Sequence, residues 1–192
     1  MTACGSKRPL DKIIGFHYTN PESYKSMQDG YAYGKTGLIP IKRFAHLGIG
    51  GLPDKAYDGV VEGLLEPEPK SWLANPEFPY LWNALMHDIC KRDKVMLLSF
   101  QILPEYEAYI VERAHIEREL YRESKGQGAP TRESMNQAYM RYWESRVSVF
   151  DYDGSYSVPQ LSMWSSVPID KLHIEWAKPT DEVWKRIIDN NW

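Results

Sequence analysis

"GFHYTNPESYKSM", residues 15–27, changes character midway, from an extended segment tipped with polar side chains into a helix. Alternate residues of a strand point the same way, so His17 and Thr19 share one face of it. Asn20 has the side chain of an N-cap and Pro21 the fixed φ of a first helical residue, which starts a helix directly after the polar cluster. The reading is a strand over about 12–19 and a helix over about 21–29. His17, Tyr18 and Thr19 then stand at the C-terminal end of a strand, a common place for a ligand.

The chain around this joint has 192 residues, 43% of them hydrophobic and 13% aromatic, enough for one core. A single domain over 1–192 is expected, with 1–10 as a flexible start. A formal charge of −3 is too mild to steer the whole molecule toward nucleic acid or an acidic membrane surface. Cys4 and Cys90 make neither a disulfide framework nor a zinc site of usual spacing, which favours a reducing compartment. No run approaches the ~18 apolar residues that cross a bilayer, and "MTACGSKRPLDK" lacks the apolar centre of a signal peptide. The expectation is a cytoplasmic chain with no membrane partner, or one exported by a route independent of such a signal.

Further along, "YAYGKTGLIPIKRF" reads as a strand with turns, and Pro53, Pro67, Pro69, Pro76 and Pro79 make 45–79 a mostly irregular connection broken by a strand at "YDGVVEGLL". Leu81, Trp82, Leu85, Met86, Ile89 and Cys90 recur at helical spacing. "KVMLLSFQI" and "EAYIVERA" read as two strands of a hairpin turning near Pro104 and Glu105. "HIERELYRE" has the charge of a solvated helix, and Ser124–Thr131 that of a linker. After the helix "ESMNQAYMRYWESR" come strands at "VSVFDY", "SVPQLSMW" and "KLHIEW", then a terminal helix capped by Thr180 with Val183, Trp184, Ile187 and Ile188 along one face. The pattern predicts an α+β domain with mixed or antiparallel sheets and peripheral helices.

"FHYTNPESYKSM" followed by "GLIP", together with "YWESRVSVFDYDGSYSVPQLSMWSSVPIDKLHIEW", resembles the ADP-ribosyltransferase-fold family, of the type whose first strand carries His-Tyr-Thr. The resemblance covers about the first 30 and the last 50 residues of the domain and nothing between. It implies sheets that form a cleft for NAD, which serves as substrate. By matching position it implies that His17 binds the nicotinamide-side ribose, that Thr19 and the backbone beside Tyr18 help to hold the dinucleotide, that Tyr142 and Ser145 bind the cofactor near the nicotinamide pocket, and that Arg146 is a catalytic residue beside position 160. It also implies a glycosyltransferase activity, mono-ADP-ribosylation of a macromolecular acceptor. The setting would be a bacterial or phage toxin or effector, with protein favoured over nucleic acid as acceptor and an immunity or antitoxin protein as a further partner.

The family's catalytic glutamate falls at Gln160. An amide keeps the size of a carboxylate but not the charge that stabilises an oxocarbenium-like centre. A weakened relative, an acid placed elsewhere and a deliberate Glu→Gln change all fit this departure. NAD hydrolysis and a non-enzymatic binding module on the same fold are the alternative functions. Plainer readings compete at single residues: a buried, satisfied His-Tyr-Thr cluster, helix-end packing for Tyr142, Ser145 and Arg146, and an exposed charge pair for Glu112 and Arg113. His115 with Glu112 and Glu119 lacks the second histidine that a metal site would need, so no metal is expected. Gly48, Gly50 and Gly51 lack the Lys-Ser/Thr and the following helix of a phosphate loop.

Overall fold

A computed structural model describes residues 12–30, 36–42, 51–68, 72, 75 and 92–189. In chain order the elements are β1 (Ile14–Thr19), α1 (Pro21–Asp29), β2 (Val61–Gly63), β3 (Lys94–Gln101), β4 (Ala108–Glu112), α2 (Ala114–Tyr121), α3 (Arg132–Glu144), β5 (Val147–Ser148), β6 (Pro159–Met163), β7 (His173–Pro179) and α4 (Thr180–Ile188). The opening joint forms as its residues dictate. Asn20 is extended, its side chain accepts from the Ser23 N–H at 2.9 Å, and Pro21 follows as the first helical residue. The apolar helical pattern at 81–90, and most of "YAYGKTGLIPIKRF", lie outside the described residues.

The strands make two antiparallel sheets, one ordered β1-β3-β7 and the other β2-β6-β4-β5. The fold is therefore a mixed α+β one with helices at the periphery. The expected hairpin of β3 and β4 does not form. Both edges of β3 are occupied, by β1 and by β7, so the chain turns through Leu103–Tyr106 and carries β4 into the second sheet.

The sheets meet where Phe16 and Leu64 exchange both backbone hydrogen bonds, at 2.9 and 2.8 Å. This close approach explains Gly63, where a Cβ would stand 2.6 Å from the Phe16 carbonyl oxygen. Leu98 and Phe100 of the first sheet and Ile110, Leu161 and Met163 of the second belong to one buried apolar cluster. A second cluster joins Val95, Trp72 and Val183 of α4, and a third packs Val111 against Ile116, Tyr139, Tyr142 and Trp143 of α2 and α3. Two helical expectations need correction. α2 is not a solvated helix, because Ile116 and Glu117 are buried in its packing on α3. Thr180 does not cap α4: it is the first residue of that helix, and its hydroxyl donates to the Arg92 carbonyl at 2.5 Å.

Candidate functional site at the sheet junction

Strand periodicity divides β6. Leu161 and Met163 enter the apolar core, while Gln160 and Ser162 point to the opposite face, toward α3. Across the neighbouring strands Val111 stands opposite Gln160 and Glu62 opposite Ser162. The Gln160 side chain, 1% exposed, accepts from Arg113 Nη1 at 3.3 Å and from the Tyr142 hydroxyl at 3.4 Å. That hydroxyl also lies 3.2 Å from Ser162 Oγ. Arg113 Nε donates to Glu117 Oε1 at 2.6 Å, and Arg113 Nη1 is 3.9 Å from Glu62 Oε1.

One guanidinium is thus set between two carboxylates. Burial works against its charge, but Glu117 and then Glu62 outweigh burial and hold Arg113 above its usual range. Burial, reinforced by Glu62, pushes the Tyr142 phenol up to about 12, so it stays protonated and available as a donor near neutral pH. The layer is graded in exposure. Glu117 is sealed, whereas Glu62 and Arg113 keep 11% and 14% of their side chains exposed.

His17 joins this layer from the other sheet, where Nδ1–H donates to the Glu62 carbonyl at 2.7 Å. That bond fixes the proton of the neutral imidazole on Nδ1 and leaves Nε2 as its acceptor nitrogen. Thr19 shares the His17 face and is buried opposite Met96. Tyr18 points the other way: its hydroxyl donates to the Pro67 carbonyl at 2.5 Å and its ring meets Trp176 edge-on. Burial, with Glu68 adding to it, raises the Tyr18 pKa well above the usual phenol range.

The other expected residues are dispersed. Tyr142 is brought to Gln160, but Ser145 closes α3, donating to the Tyr142 carbonyl at 2.7 Å and accepting from the Glu112 N–H at 2.9 Å. Arg146 lies over the Trp143 indole, 3.2 Å from the ring centroid, with Nη1 buried and unpartnered among the described residues. Glu112 and Arg113 are not an exposed pair. Glu112 accepts from the backbone N–H groups of Ala114, Ser157 and Val158 and so clamps the approach to β6. Among the described residues no group of three His, Cys, Asp or Glu side chains stands together as a metal set. No helix there is long and apolar enough to cross a membrane.

Sequence reasoning missed Glu62, Glu117 and Ser162 as members of the layer. Arg113 and Glu117 do carry a signal, the four-residue spacing of a helical ion pair. Ser162 could have been found from its two-residue spacing to Gln160. No protein-family model, curated protein or solved structure matches this chain.

Proposed function

We propose that this chain is an NAD-dependent mono-ADP-ribosyltransferase of the toxin or effector kind, with NAD bound where the two sheets meet. One observation carries the reading. Glu62 holds His17 through its carbonyl, while its carboxylate approaches the Arg113 that bonds Gln160, so the two sequence-distant halves of the resemblance converge on one residue. His17 would grip the nicotinamide-side ribose, and Arg113 would face the dinucleotide from the partly open end.

In the reaction the bond between C1′ and the nicotinamide nitrogen breaks, and its electron pair returns to the pyridinium ring. C1′ becomes oxocarbenium-like, bonds to a nucleophilic atom of a protein acceptor, and that atom loses its proton to solvent. A nearby carboxylate favours the cationic transition state over the bound substrate. Gln160 is sealed and its carbonyl oxygen is engaged, so Glu62, at the exposed end, is the better source of that charge. Arg146 and Ser145 have no part in this scheme. The neutral Gln160, whose carbonyl oxygen is already engaged, favours one second reading, a module that binds NAD without consuming it.

Nicotinamide release from NAD separates these readings. The wild-type chain should release it, Glu62→Gln should slow release by roughly 10²-fold or more, and Gln160→Glu should bring no gain. Binding of NAD without release would support the module. A large gain in Gln160→Glu with no loss in Glu62→Gln would return the acid to position 160. Transfer of label from NAD to a macromolecule, rather than to water alone, distinguishes the transferase from an NAD hydrolase.

A further inference from the structure

The C-terminal end of α2 borders a concavity of about 500 Å³, lined by Arg118, Glu119, Tyr121, Arg122, Lys125 and Gln127. Its volume is that of an ordinary small-molecule site. It lies beyond the polar layer along α2: Tyr121 stands about one helical turn past Glu117, which is buried against Arg113.

The wall is built by a helix stop. Gly126 takes a left-handed conformation, φ 70°; its N–H donates to the Glu123 carbonyl at 3.0 Å, and the Gln127 N–H donates to the Arg122 carbonyl at 3.0 Å. This paired 5→2 and 6→1 closure folds Gln127 back beside Arg122. Three cations face the concavity against one carboxylate, in a chain whose formal charge is −3. Glu119 engages Arg122 Nη1 at 3.2 Å, yet Arg122 Nε is buried with no hydrogen-bond partner among the described residues. The Arg122 side chain as a whole keeps 38% of its surface exposed, and its outer N–H groups can donate to an anionic oxygen in the concavity. Lys125 Nζ sits 4.6 Å from the centroid of the Tyr121 ring, so one cation and one aromatic surface are already held together at the rim.

We infer that this concavity is a second binding site that takes a phosphate-bearing ligand of nucleotide size. Arg118, Arg122 and Lys125 bind the phosphates, and Tyr121 and Gln127 contact the remainder. A cluster of cations confined to one concavity fits a compact, multiply charged ligand better than an extended polyanion, which needs a basic stripe. The site is independent of the proposed NAD chemistry.

Calorimetric titrations of the full chain with pyrophosphate, ATP and adenosine test this, with Arg122→Gln and Lys125→Gln as variants and amide NMR shifts to localise the response. The expected result is saturable binding of ATP and pyrophosphate but not adenosine, weakened about tenfold in each variant, as loss of one charge-assisted bond implies, and weakened by added salt. ATP binding more tightly than pyrophosphate marks a nucleotide site, whereas equal affinities mark a site for the phosphate group alone. Adenosine binding as tightly as ATP, no binding of either phosphate probe, or binding that both variants leave intact would overturn the inference.

Discussion

The two faces of the second sheet follow different rules. On one, Ile110, Leu161 and Met163 join the core between the sheets, where any set of apolar groups that fills the space serves nearly as well. On the other, Gln160 and Ser162 meet Tyr142, Arg113 and the two glutamates, and each polar atom depends on a particular partner. A buried ionic layer adds little net stability over apolar packing but is strongly destabilised when one member is removed. The polar side is therefore the one where a single substitution should have consequences that depend on its partners.

Thermal or denaturant unfolding of single variants can break this comparison. Arg113→Leu leaves Glu117 and the largely buried Glu62 without their common cation, and should cost about 3–5 kcal/mol. Leu161→Ala, on the opposite face of the neighbouring strand, removes apolar volume alone and should cost about 2–5 kcal/mol. The polar face should also respond to partial repair. Glu117→Gln in the Arg113→Leu background should recover stability, because it removes the stranded charge. A pair of losses that simply add would show that Arg113 and Glu117 do not depend on one another.

A smaller effect comes from pH. His115, on α2, has its pKa lowered from 6.5 by burial, against the opposing pull of Glu112 and with help from Arg141 and Arg118. The folded state therefore disfavours the imidazolium. Below 6.5 the unfolded chain takes up a proton that the folded chain resists, so stability is fully present above that pH and declines as pH falls. His115→Gln should flatten the stability profile between pH 7 and about 5, while Leu161→Ala should shift the profile without changing its slope there.

Much of the fold was legible because its signals are local. Asn20-Pro21 starts a helix by chemistry confined to two residues, and β1, β3, β4, β6 and β7 follow from short apolar or alternating runs. The pairing of β3 was not legible, since an apolar run does not say which strands will take its two edges. The site was legible in part. His17 and Gln160 drew attention through a resemblance; Gln160 is buried in the polar layer, and Glu62, in the same layer, keeps 11% of its side chain exposed. Glu62 was hidden because β2 is only three residues long and lies in a proline-punctuated connection. Its link to His17 is a backbone bond, which no pattern of side chains encodes.

The central claim is that the His17–Glu62 junction binds NAD, and titration of NAD into the wild-type chain and His17→Ala tests it most directly. Wild type should bind saturably. His17→Ala should keep the wild-type circular dichroism and lose about 0.5–1.5 kcal/mol of affinity, the worth of one hydrogen bond to the ribose. No NAD binding by the wild-type chain, or unchanged affinity in a folded His17→Ala chain, would contradict the account.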